Sequence, residues 1–271
     1  MLPRMTAMVR RLRSWPRRLR LGILAALTLA ALLTVLMLPP IPQPQSYHNF
    51  ADQRGLLGVP HFLNVVSNAA LVLAGAAGLS FLLRRCKSPD AGVFAQPWER
   101  SPYVVFFLGT LLTGLGSAWY HRMPDTEQLT WDRLPMTLIF MSFLAAAVGE
   151  RISTRAARLG LAPLLVLGMA SVILWHVGEL RGGGDLRLYG FVQFYTAVMV
   201  PVIVLLFPCP CSDDRPVLEA LGLYALAMLC GELLDAQIFA LGQIVSGHTL
   251  KHLLAGAAAY RVLRMLRARR R

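Results

Sequence analysis

Long apolar runs occupy most of this chain, at residues 21–38, 60–83, 102–121, 131–149, 161–176, 189–207, 217–235 and 248–266. About 18 or more consecutive apolar residues is the length a helix needs to cross the hydrocarbon core of a bilayer. In lipid every backbone polar group must be paired within the protein, so such a run is either a helix or part of a closed barrel. None of the runs shows the strict alternation of a barrel strand. The chain is therefore expected to be all-α, a polytopic transmembrane bundle of eight helices. Composition agrees, because 56% of the 271 residues are hydrophobic and only 15% are charged, outside the usual range of soluble domains.

The formal net charge is +13. In a soluble protein that balance would suggest nucleic acid, but here the basic residues sit between and beyond the apolar runs, where they set topology. Nucleic-acid binding is excluded on that ground. Seven arginines precede the first run, and further basic residues gather at 84–100, 151–158, Arg215 and 261–271. Only Arg54, Arg122, Arg133, Arg181, Arg187 and Lys251 lie elsewhere. With the basic-rich segments inside, both termini are cytoplasmic, and residues 121, 132 and 248 fall near the opposite, periplasmic face. The tail 267–271 reads as topogenic.

The first run is too long for a secretory signal core and ends in Pro39-Pro40, so it reads as a retained anchor. This divides the chain into residues 1–46, a basic segment, anchor helix and proline-rich connector, and residues 47–271, a seven-helix domain. Cys86, Cys209, Cys211 and Cys230 make no structural zinc framework, and reduced thiols in a short loop are expected at Cys209-Pro210-Cys211.

His248 and His252 head the last run one helical turn apart, on one face, close enough to share a metal ion. Taken alone, the pair could equally be two interfacial histidines bonded to neighbouring helices. Ser117 and His121 repeat the four-residue spacing at the end of the third run, and Asp132 stands at the mouth of the fourth. Topology assigned from Lys and Arg alone brings His121, Asp132 and His248 to one depth. Three neutral imidazoles leave a tetrahedral zinc with one open position, which is a catalytic arrangement. Asp132 is then suited to proton transfer and Ser117 to stabilising an oxyanion. Singly, Ser117 could bond the carbonyl one turn back, and Asp132 could be a helix cap paired with Arg133. Glu232 and Asp235 read as orienting a metal-bound histidine from behind or as structural at a helix terminus, rather than as ligands. His48 and His176 read as interfacial.

At these residues the chain resembles the alkaline ceramidase family, part of the superfamily of seven-helix membrane hydrolases that also holds the progestin and adipoQ receptors. The resemblance rests on Ser117-x-x-x-His121, Asp132, His248-x-x-x-His252 and Phe62-Leu63-Asn64-Val65-Val66-Ser67-Asn68. It is similar to bacterial members through Gly184-Asp185-Leu186-Arg187-Leu188-Tyr189 and Val192-Gln193-Phe194. The resemblance spans residues 47–266 and leaves the first helix as an addition to the seven-helix core. It implies a Zn2+ held by His121, His248 and His252, and hydrolysis of the amide bond of ceramide or a related N-acyl lipid to a fatty acid and a long-chain base. It also implies residence in the bacterial cytoplasmic membrane. Members that bind calcium carry several acids ahead of the core and a Glu before the Asn-x-x-Ser-Asn segment. Here Asp52 is the only acid there and His61 stands in place of the Glu, which argues against a calcium site, since calcium needs a dense set of oxygen ligands. Asn64 and Asn68 are then expected to join helices or to bond the connector.

A metal near one interface suits a lipid amide whose chains stay among apolar helices. The rival from another class is a receptor-like or scaffolding membrane protein that keeps a zinc site without turnover. A transporter is the weaker rival, because the polar residues gather at one face and no matched pair of broken helices is evident. Acyl length, base and oligomeric state are not legible in the chain.

Overall fold

The computed structural model of the protein describes residues 9–85, 93–209 and 213–269. Its helices are α1 (Arg17–Met37), α2 (Phe62–Val66), α3 (Ala69–Arg85), α4 (Arg100–Arg122), α5 (Thr126–Arg151), α6 (Thr154–Leu180), α7 (Arg187–Leu206), α8 (Arg215–Met228), α9 (Asp235–Ala240) and α10 (Gly247–Ala268), with a π turn over Leu229–Leu233. Among the described residues there is no strand. The architecture is an all-α bundle, as the apolar runs require.

Seven helical segments are long and apolar enough to cross a membrane, from α1 through the π turn after α8. The eighth expected crossing, α10, forms as a 22-residue helix but does not meet that measure. It carries Lys251, Arg261, Arg264 and Arg267 besides its two histidines. One face of α10 packs against α3 and α8, so the polar residues at its start meet protein, while Leu253, Tyr260, Arg264 and Arg267 are exposed. His248, Thr249, His252 and Gly256 are all buried, and at Gly256 an added Cβ would lie 2.7 Å from the Ala70 Cβ. Small residues permit this close helix–helix approach.

Elsewhere the bundle shows the polarity expected of a lipid solvent. Phe107, Val200, Leu263 and Leu266 fill the interior, while Leu29, Leu73, Leu174 and Phe194 point outward. Helix starts follow local chemistry. The Asp125 carboxylate accepts from Gln128 N at 2.6 Å to open α5, and Ser246 Oγ accepts from Thr249 N at 3.1 Å to open α10.

The added helix α1 lies against α7 and is fastened at both ends. Arg13 donates to the carbonyls of Val204 and Leu205, and Arg20 to that of Leu206, placing positive charge on the C-terminal carbonyls of α7. Arg13 also shares Asp214 with Arg151. At the other end Arg187, paired with Asp185 at 2.8 Å, donates to the Leu38 carbonyl. In the α7–α8 loop Cys209 is disulfide-bonded, correcting the expectation of reduced thiols. Cys230 is a buried free thiol, and Cys86 and Cys211, like residues 270–271 of the basic tail, lie outside the described residues.

Candidate metal centre

Two close backbone approaches build the site. Gly116 on α4 faces α5, where an added Cβ would sit 2.1 Å from the Trp131 carbonyl oxygen. This contact sets Ser117 on α4 beside Asp132 on α5, and both line the same cavity. Gly247 faces the π turn, where a Cβ would sit 2.1 Å from the Cys230 carbonyl oxygen. A π turn redirects backbone carbonyls, and the Gly231 carbonyl lies near the His248 ring.

His121, His248 and His252 converge. Their ligating nitrogens all lie within 4.8 Å of one another, and the Nε2 atoms of His121 and His248 are 3.1 Å apart. All three side chains are buried. The spacing fits a metal: ligands of a tetrahedral zinc at ~2.0–2.1 Å stand roughly 3.3 Å from one another. The surroundings fit as well. His252 Nδ1 is 2.8 Å from Ser67 Oγ, which itself donates to the Asn64 carbonyl at 3.2 Å. A hydroxyl already donating elsewhere accepts from His252 Nδ1–H, which leaves the Nε2 lone pair free for an ion. His121 Nδ1 is buried without a hydrogen-bond partner. Three convergent neutral imidazoles are a donor set for a borderline cation such as zinc.

The bland reading of Asp132 as a helix cap is excluded, because α5 begins at Thr126 with Asp125 as its cap. Asp132 is instead a half-buried carboxylate well inside the helix, and it does not belong to the convergent ligand group. Ser117 and Asp132, with His252 and Lys251, line the site end of a cavity of about 120 Å³ that is partly open to the outside. The cavity extends between α4, α5, α7, α8 and α10 past Thr110, Phe143, Ala197 and Tyr224 to Phe106 and Val262. Its length is about ten residues of α10, roughly 15 Å at 1.5 Å per residue, and its deep wall is apolar.

Glu232 and Asp235 do not contact a histidine ring. Glu232 pairs with Lys251. Asp235 accepts from the His248 backbone N–H at 2.7 Å and from Ala51 N at 2.9 Å, so it fixes the start of α10 and ties down the connector. Asn64 takes the joining role expected of it: its Oδ1 accepts from Thr249 Oγ1 at 2.8 Å and from Ser246 Oγ at 3.3 Å. Asn68 donates to the Asn64 carbonyl at 2.8 Å.

The connector closes the outer side of the centre. Phe50 packs edge-on against His121 and at a tilt against His248, with ring centroids 4.6 and 4.4 Å away. His48 Nδ1 lies 2.9 Å from the Tyr120 hydroxyl and its Nε2 3.1 Å from Thr126 Oγ1; burial pushes this imidazole below its ordinary pKa. Asp52 accepts from Arg54 Nε and Nη2 at 2.8 and 2.7 Å, and Arg54 also donates to the carbonyls of Gln243 and Ile244. The Arg54 guanidinium holds the Asp52 carboxyl below the usual range. His176 Nδ1 is 2.9 Å from Thr130 Oγ1, away from the centre. Sequence reasoning missed Ser67 as a histidine partner, although it lies in the Asn-x-x-Ser-Asn segment. Phe50, Gly231 and Arg133 carry no local signal at all.

Comparison with family models gives no match, and no curated protein matches the chain closely enough to count as a relative. The site's chemistry must therefore carry the functional reading.

Proposed function

We propose that the protein is a zinc-dependent intramembrane amidase that cleaves ceramide or a related N-acyl lipid to a fatty acid and a long-chain base. The observation that carries this reading is the shared opening: Ser117, Asp132 and His252 all line the site end of one long apolar cavity. A structural metal centre needs no such cavity, and a scaffold needs no carboxylate and serine beside three imidazoles.

His121, His248 and His252 would hold the zinc, which when bound supplies Lewis acidity and a water acidified to a pKa of about 7. The apolar cavity takes the acyl chain and holds the scissile amide at the Ser117–Asp132 end. Asp132 accepts the proton of the attacking water and delivers it to the departing amine nitrogen. Ser117 turns its hydroxyl to the oxygen that gains negative charge. Phe50 and the connector keep bulk water off the histidines.

The cavity's apolar length matches a lipid tail better than a peptide, and the helices are those of a multi-pass membrane protein. The distribution of Lys and Arg supports both termini in the cytoplasm of a bacterial cell, with the site near the periplasmic leaflet. Fatty-acid release by purified protein from a panel of long-chain amides, lost on chelation and restored by zinc, tests the reading. Stoichiometric zinc with no product from any long-chain amide would overturn it in favour of a receptor-like protein.

A further inference from the structure

Arg133 is the unexplained charge at this end of the bundle. It is 5% exposed, and its guanidinium lies against the rings of Tyr47, Trp175 and Tyr189 at 5.3, 4.6 and 4.9 Å from their centroids. Among the described residues it has no ion-pair partner, and its Nη1 is buried without a hydrogen bond. Each of the other buried cations here is matched: Lys251 by Glu232, Arg151 by Asp214, Arg269 by Glu150. A buried guanidinium with a free donor is costly unless an anion completes it.

Its position relates it to the cavity. Arg133 follows Asp132 directly and stands one turn toward the site from Met136 on the same face of α5. Asp132 and Met136 both line the cavity. The Tyr189 hydroxyl, from a ring of the cage, donates to the Met136 sulfur at 3.8 Å. Tyr47, the remaining outer ring, belongs to a short 3-10 helix of the connector, Gln45–His48, so the cage is completed by the segment that covers the centre.

Resting on the amidase reading, we infer that the amine portion of the substrate carries an anionic group, a carboxylate or a phosphate, that Arg133 binds beside Asp132. The acyl chain then enters the apolar cavity while the charged end remains beneath Tyr47. The planar fork of arginine suits both anions, and the three rings orient it without neutralising it.

The experiment measures binding of N-dodecanoylglycine and of its methyl ester, in which one methyl group removes the charge, to zinc-loaded full-length protein in detergent, and hydrolysis of the amide bond in the same pair. A second pair, N-dodecanoyl-phosphoethanolamine and N-dodecanoyl-ethanolamine, separates phosphate from carboxylate. The expected result is binding at least about 10-fold tighter for one anionic member than for its neutral partner. Arg133→Gln should abolish the difference while zinc content is unchanged. Should Arg133→Gln fail to fold, Arg133→Lys takes its place and should narrow the difference, since the charge remains and the fork is lost. Equal affinity within both pairs, or a preference unchanged in the Arg133 variant, overturns the inference. An Arg133-dependent preference without turnover of any amide keeps the anion site and rejects the amidase reading, so the two failures are distinct.

Discussion

Ser67 Oγ and His252 Nδ1 are 2.8 Å apart, joining the short helix α2 to the helix that carries two of the three convergent imidazoles. The bond fixes both the tautomer and the rotation of His252. Partners of this kind typically affect metal affinity by about 10–100-fold. Ser67→Ala should therefore weaken zinc binding on that scale with little change in thermal stability, read by competition with a chromophoric chelator. Affinity equal to that of the parent protein would remove Ser67 from the centre.

His252→Ala should lose most of the zinc, because two imidazoles are too few for tight binding. Elemental analysis of the folded protein checks this. Full stoichiometry in His248→Ala/His252→Ala would place the ion elsewhere.

Asp132→Asn should keep the zinc and the fold while lowering turnover by about 100-fold or more. Ser117→Ala should also retain zinc, with a loss of similar order if the hydroxyl stabilises the oxyanion. Both substitutions nearly preserve volume, so hydrolysis rate, zinc content and melting temperature on one preparation separate chemistry from packing. A fully active Asp132→Asn protein would require another proton carrier.

Gly247→Ala should be felt twice. The new methyl would sit 2.1 Å from the Cys230 carbonyl oxygen, and backbone on both sides leaves no flexible side chain to yield. Overpacking of this kind costs about 1–3 kcal/mol. The displacement would also carry His248 away from His121. The melting temperature and the zinc affinity should fall together; an affinity that holds while stability falls would show that the π turn does not set the position of His248.

Acidification should loosen the connector. Burial lowers the His48 pKa, so the folded state binds its proton less readily than the unfolded chain, whose value is about 6.5. Stability is then unaffected above pH ~6.5 and falls as pH drops below it, toward the lower folded value. Comparing zinc-loaded parent protein with His48→Gln isolates this contribution, because the metal ligands titrate in both. Parallel stability curves between pH 7 and 5 would exclude His48.

The all-α bundle and the three histidines were legible because lipid imposes long apolar runs and because four-residue spacing survives in any helix. The eighth helix, α10, forms where its apolar run stands, although its four cations keep it below the apolarity of the other crossings. Asp235 does the structural part of the work expected of it, holding backbone N–H groups of His248 and Ala51. Phe50 was invisible because a connector's fold depends on the bundle beneath it. Arg133 looked like the salt partner of its neighbour Asp132, but successive residues on a helix diverge by about 100°, and the guanidinium lies instead against the rings of Tyr47, Trp175 and Tyr189.

The polarity of α10 also bears on how the protein is made. A segment with four cationic residues and two histidines has little tendency to leave an aqueous channel for lipid by itself. It must be received by helices already in place, with α3 and α8 offering the groove. The three convergent imidazoles are therefore brought together only when α10 docks and His248 and His252 arrive opposite His121.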